Sequence, residues 1–352
     1  MISQQLNSPT GPALLRTETA TEIFRKESFT YTKHYYECKK THKQYFTDEV
    51  ANLNITQIYN QYRAEHRILF PEQIRQLRQQ YDLSASKMSL LLDFGTNQYR
   101  QYEDGEIPST SNAAHLRLAR DPRIFCQLVQ DKRDELKTNE YERLIKRTEE
   151  LKREQKATTG FIISKLLQRN LWNQDEIPSA LTGFAVPRFD KFAQMVLYFY
   201  HHLDHVFTVR LMKLLFYADF LHFSRTGCSI SGNKYKAITY GPVPQEYQMQ
   251  LGMLIDEGYL SQDLDHTKRR SDNNEPVVVY EPLKKREKEL LTDAEWDTLD
   301  AVATHFGHLK TNDLVELSHK EAAWKDNEAA RNLIDYQKYA FQLCAATKIP
   351  HH

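Results

Sequence analysis

The sequence predicts a mainly α chain with small β elements, an α+β protein. Three observations carry this. Apolar residues recur at helical spacing through most of the chain from residue 66 onward. Aromatic and polar residues alternate over 25–50, at Phe29, Tyr31, Tyr35, Tyr36, Tyr45 and Phe46, which favours a β-hairpin or small sheet. A short β-branched run, PVVVYEPL at 276–283, reads as a strand able to pair with the GYLSQ stretch at 258–262.

The elements follow in order. Residues 1–24 are polar and rich in Thr, Ser and Pro, and read as a disordered lead-in. The aromatic-polar stretch comes next. Between 25 and 45 it holds six Lys/Arg against two Glu, either a solvated sheet face or a patch for phosphate or an acidic partner. Pro71 suits the first position of a helix carrying Ile74, Leu77 and Tyr81. Ser84 suits the N-cap of the next helix, with Met88, Leu91 and Leu92 inward. Gly95 makes a tight turn, and the helix TNQYRQYE ends before Gly105. Tyr99 and Tyr102 fall on its inner side. Thr96, Asn97, Gln98, Arg100 and Gln101 face out, with Lys87 on the helix before. Asn and Gln can pair with adenine and Arg with guanine, so these six are the candidate DNA-binding residues. Residues 71–130 carry seven Lys/Arg and seven Asp/Glu, so the module lacks the basic excess of a strong nonspecific binder.

Residues 131–156 hold nine Lys/Arg and eight Asp/Glu with neither Pro nor Gly, and read as an exposed charged helix or short coiled segment. WNQDEIPSALTGFAVPRF looks like a linker, making 131–187 a charged helix and linker. From 188 to 352 the chain reads as a second domain. VRLMKLLFYADFLHFSRTG is apolar nearly all round and reads as a central buried helix. Thr292 and Glu295 form a capping box. A last helix is expected through Leu333, Tyr336, Tyr339, Phe341 and Leu343.

Composition bounds the function. The 352 residues carry a formal net charge of 0, so nucleic acid or membrane has no global electrostatic pull on the chain. No run approaches a membrane span, and the N-terminus lacks a secretory pattern. Cys38, Cys126, Cys228 and Cys344 are widely separated, which suits free thiols in the cytoplasm. No catalytic constellation stands out. The 11 glycines form no phosphate loop. His201, His202 and His205 in HHLDH lack the general-base Glu of a zinc-protease helix. Ser318 and His319 are helix neighbours and do not face each other. The chain is read as a non-enzyme without metal or cofactor.

Two resemblances sharpen this. LSASKMSLLL, YRQYEDGE and the leucine-spaced helix after them resemble the Xre-like helix-turn-helix family, over residues 66–130. A sheet followed by such a unit is similar to MqsA-type antitoxins, whose N-terminal module (25–65 here) holds zinc through paired C-x-x-C motifs. Here Cys38 stands at one cysteine slot and Thr41 at the next, so no zinc is expected. Asn97 keeps the family's polar residue, while Gln101 stands where a base-reading Arg is usual, with Arg100 beside it. Homodimerisation through the N-terminal half and binding of operator DNA are what this resemblance implies.

The ordered blocks LMKLLFYADFLHF, ISGNKYKAITYGPVPQEY, EGYL and LSHKEAAW resemble the Panacea domain of SocA-like antitoxins. That implies a cognate protein toxin as partner. The prolines fix φ around Gly241 and Val243, so Tyr235, Tyr240, Gly241, Pro242, Val243 and Pro244 are the candidate toxin-binding residues, on a preset turn expected at the surface. The alternative is a transcription regulator or proteolytic adaptor without a toxin.

Overall fold

Four antiparallel strands open the chain in the order β1 (Gln5–Ser8), β2 (Gly11–Phe24), β3 (Glu27–Cys38) and β4 (Gln44–Tyr45). The computed structural model describes residues 2–157, 172–173, 176–269 and 276–345. The stretch 1–24, expected as a disordered lead-in, is instead strand for most of its length. TETATE offers no apolar face to read, yet its β-branched threonines suit an extended backbone, and β2 pairs with β3 from Ala13↔Cys38 to Phe24↔Glu27. Ala13, Tyr36 and Cys38 close a small core with Val50 of α1 (Asp48–Glu65). The chain divides into two compact units, Met1–Gln61 with Leu171–His352, and Tyr62–Asn170.

The Tyr62–Asn170 unit is helical. It holds α2 (Pro71–Gln80), α3 (Ala85–Leu91), α4 (Gln98–Glu103), α5 (Thr110–Leu118), α6 (Pro122–Asp131) and α7 (Thr138–Ala157). The expected caps are present: Pro71 begins α2, and the Ser84 side chain accepts from Lys87 N–H. Gly105, just beyond α4, has φ of +108°. Tyr81 stacks on Phe125 at 3.6 Å between centroids. The charged stretch expected as an exposed spacer behaves differently. One face of α7 puts Leu144 and Leu151 into the unit's core. These few apolar positions, among the 11 charges of α7, suffice to dock it. The remainder of that segment, 158–171 and 174–175, lies outside the described residues.

In the other unit, α8 (Phe189–His202) and α9 (Thr208–Thr226) come first. Every residue from Arg210 to Phe223 is buried, as expected of a central helix. The hairpin β5 (Tyr235–Ile238) and β6 (Gly241–Pro244) follows, then α10 (Tyr247–Asp256). β7 (Leu260–Arg269) pairs antiparallel with β8 (Pro276–Pro282). After them come α11 (Asp293–Phe306), α12 (Thr311–Lys320), α13 (Ala322–Lys325) and α14 (Tyr336–Tyr339). The Thr292–Glu295 capping box is formed, and Glu295 also pairs with Lys191 at 2.7 Å. The long last helix is not: α14 is a single turn, and Leu333 instead bridges to Lys236 of β5. The presumed linker is packed as well. Trp172 sits against Phe192 at 5.2 Å, and Tyr336 N–H donates to Ala180 O. Among the described residues no helix is long and apolar enough to cross a membrane.

Candidate functional site

The GPVP stretch is a strand, not a free turn. β5 and β6 pair from Tyr235↔Pro244 to Ile238↔Gly241, leaving Thr239 and Tyr240 as a two-residue loop. The far edge of β5 is closed by Ala237 N–H on Asn332 O (3.1 Å) and Ile334 N–H on Tyr235 O (2.8 Å). Trp324 Nε1 donates to Ile238 O at 2.7 Å, and His319 stacks on that indole at 3.9 Å.

Two charged residues of α9 hold this hairpin from beneath. Lys213, fully buried, donates from Nζ to Pro242 O at 2.9 Å. Burial lowers its pKa to about 7. Asp219 is also fully buried. Its Oδ1 accepts from Ile230 N–H and Ser231 N–H, both at 2.9 Å. Its Oδ2 accepts from Ser231 Oγ at 2.5 Å and Tyr235 OH at 2.9 Å. Burial raises its pKa to about 6, against the opposing pull of these donors. The loop 229–233 is thus wound around one carboxylate, and the hairpin is hung from one ammonium.

Gly241 makes the close approach possible. Its φ is +98°, and a Cβ there would stand 2.5 Å from Ser318 Oγ and 2.7 Å from Lys213 Cε. Gly241→Ala is therefore expected to destabilise the full chain by on the order of 2 kcal/mol or more. A urea midpoint equal to that of the unaltered protein would contradict the close packing.

Of the six residues singled out on this hairpin, Tyr235, Gly241, Pro242, Val243 and Pro244 are buried. The expectation of a preset surface turn gives way at these five, because β6 lies over α9. Tyr240, at the loop, is 56% exposed. Sequence reasoning passed over Lys213 and Asp219. The signal was present: a charge on a helix that is apolar all round has to be buried and satisfied.

Elsewhere in this unit an open groove of about 960 Å³ is lined by Tyr198, His202, Arg286, Trp296, Asp297 and Asp300 among others. Arg286 lies over both the Tyr198 and Trp296 rings, at 5.3 and 5.6 Å. The histidines of HHLDH are used separately. His202 Nδ1 lies 2.8 Å from Tyr198 O, His201 Nε2 lies 3.1 Å from Lys284 O, and His205 has φ of +55° beyond the end of α8. Ser318 donates to Val315 O of its own helix. Cys38 is buried in the N-terminal sheet, and hydrogen bonds from Thr10, Thr41 and Lys40 lower its pKa to about 6.

In the helical unit α4 is anchored by its inner side. Tyr99 OH donates to Ile74 O at 2.7 Å, Asn112 Nδ2 donates to Tyr102 OH at 2.7 Å, and Glu103 pairs with Arg78 at 2.7 Å. Thr96, Asn97, Arg100 and Gln101 are thereby left exposed. Gln98 is half-buried and lies 3.4 Å from Glu106. Lys87 is half-buried in an ion pair with Glu140 at 2.9 Å.

No curated protein and no solved structure matches the chain. The family model of the antitoxin SocA-like Panacea domain matches residues 211–325, which run from Leu211 in α9 through Lys325 at the end of α13 and include the buried Lys213 and Asp219 and the whole β5–β6 hairpin, so this stretch of the chain is similar to an antitoxin domain.

Proposed function

We propose that the protein is the antitoxin of a toxin–antitoxin pair, neutralising a cognate protein toxin by direct contact and repressing its own operon. The observation that carries the reading is the SocA-like Panacea match at 211–325. The proposed toxin contact is centred on Tyr240, the exposed tip of a hairpin whose other singled-out residues are buried beneath it. A fixed aromatic tip loses little entropy on binding, and Tyr is enriched among residues that dominate interface energies. The groove at Tyr198 and Trp296 is the less favoured contact, because Tyr198 and His202 precede the matched stretch. Operator contact is assigned to Asn97, Arg100 and Gln101, with Thr96 at the helix start and Gln98 and Lys87 in supporting positions. A dimer through the N-terminal half would present two such helices to a two-fold operator.

The test is co-expression with the product of the neighbouring gene. Arrested growth with that product alone, rescue by this chain and co-purification of the two are the expected result. Tyr240→Ala is expected to weaken the complex at least tenfold, an ordinary loss for a central aromatic. Failure of the full-length chain to rescue growth would end the antitoxin reading. In gel-shift titrations with the operon's promoter, Asn97→Ala with Arg100→Ala is expected to weaken binding at least about tenfold, since one bidentate base contact accounts for that much. Unchanged affinity would remove α4 from the DNA contact.

A further inference from the structure

The two edges of the long N-terminal hairpin are treated differently. The outer edge of β3 is filled by side-chain amides from α1. Asn54 accepts from His34 N–H and donates to His34 O, both at 2.8 Å. Gln57 does the same to Thr32, at 3.0 and 2.9 Å, and Gln61 donates to Thr30 O at 3.1 Å. Residues 54, 57 and 61 lie on one helix face, so α1 substitutes for a strand along this edge.

The outer edge of β2 has no such cover. β1 pairs only with Gly11–Leu14, and Leu15 N–H reaches Gln4 O. Beyond that point the register opposes Thr17 to His34, Thr19 to Thr32 and Thr21 to Thr30. In an antiparallel ladder opposed residues either bond to each other or both turn away. The three β3 residues turn away, toward α1. Thr17, Thr19 and Thr21 therefore also turn their N–H and C=O outward, on the other side. All three are exposed, and among the described residues no hydrogen bond meets these outward groups. Ile23, next along the edge, is 73% exposed. A long stretch of open backbone is the kind of edge that folded chains pair or cover.

We propose that this edge is covered by the same edge of a second copy, the two β2 strands running antiparallel about a two-fold axis at Thr19. The sequence Arg16-Thr-Glu-Thr-Ala-Thr-Glu22 is complementary to itself in that register. Arg16 faces Glu22 of the partner subunit, Thr17 faces the partner's Thr21, and Glu18 faces the partner's Ala20. About six main-chain hydrogen bonds form, from the outward groups of Thr17, Thr19 and Thr21 on each strand. The neighbouring registers that keep those groups opposed are worse. An axis at Ala20 sets Glu18 against Glu22, and an axis at Glu18 sets Glu18 against itself, both like-charge pairs. Arg16 is 55% exposed beside Glu37 at 3.4 Å, within reach of a second carboxylate. Glu22 is exposed and has no ion pair among the described residues. The combined sheet would have eight strands. This inference stands on the sheet alone and does not depend on what the protein neutralises.

The test is sedimentation of the full chain over a concentration series. A dimer of twice 41.5 kDa is expected. Thr19→Pro removes the donor at the axis, yet Thr19 N–H points away from β3, so the β2–β3 ladder keeps its bonds. It is expected to sediment as a single chain. Glu22→Arg is expected to raise the dimer dissociation constant at least tenfold, and Arg16→Glu added to it is expected to restore the unaltered value. This charge swap decides the matter if Thr19→Pro disturbs folding. A single-chain mass at every concentration would overturn the proposal and leave the edge to a strand of another protein. A dimer constant indifferent to both single variants would overturn it equally.

Discussion

Asp219→Ala is expected to be the most damaging single substitution in the Leu171–His352 part of the chain. It would remove the acceptor for Ile230 N–H, Ser231 N–H, Ser231 Oγ and Tyr235 OH at once. All four donors are buried. Truncating one side of a buried charged network costs on the order of 3–5 kcal/mol, because the remaining groups stay desolvated and unpaired. That is a large share of the stability of an ordinary domain. Asp219→Asn is expected to cost less, since its carbonyl oxygen can still accept the two amide N–H groups. The unaltered carboxyl also leaves a pH signature. Its folded pKa, about 6, lies above the ordinary 3.8. The folded state therefore binds this proton more tightly than the unfolded chain, and the contribution of Asp219 to stability falls as pH rises from about 4 to about 6. Urea midpoints across that window are expected to show the decline in the unaltered protein and not in Asp219→Asn. Equal midpoints for Asp219→Ala and the unaltered chain at pH 7 would show that the loop 229–233 does not depend on this carboxylate.

The same residues explain what the sequence disclosed and what it hid. The first helices of the Tyr62–Asn170 unit were legible because caps and apolar spacing agree, whereas the docked face of α7 was not. Pro71 and Ser84 start them, and Ile74, Leu77, Tyr81, Met88 and Leu91 supply the inner face. β3 was legible from its aromatic alternation. β2 was not, because an edge strand exposed over Arg16–Thr19 and Thr21–Ile23 has no buried period to betray it. The stretch Gly241–Pro244, expected as a surface turn, is instead the buried strand β6. Proline and glycine predict a preset turn at the surface, whereas Gly241 lets β6 approach Lys213 and Ser318. Local signals of rigidity do not say which side of a rigid element faces water. That information lay with the partner helix, in two charges set among apolar neighbours on α9.

Lys213 gives the other large expected effect, of opposite sign in pH. In the unfolded chain the amine keeps its proton to about 10.5; in the folded protein, burial makes it give the proton up near 7. Between those values the unfolded chain binds more protons, so stability is expected to rise with pH, by about 1.4 kcal/mol per unit from this one group. Below pH 7 the folded state must carry a buried ammonium whose one hydrogen bond among the described residues is to Pro242 O at 2.9 Å. The cost of that charge falls on the contact between α9 and the hairpin. Lys213→Met keeps most of the volume and removes the charge. It is expected to raise the urea midpoint at pH 7 and to flatten the rise between pH 7 and 10 that the unaltered chain shows. A parallel rise in both proteins would mean that another group titrates there and that Lys213 is not the source. If the variant is also more stable yet rescues growth less well, the lysine is retained for the position it gives Pro242 and, through β6, the Tyr240 tip. Stability and neutralisation would then be set by different properties of one side chain, its charge working against the fold while its hydrogen bond places the hairpin.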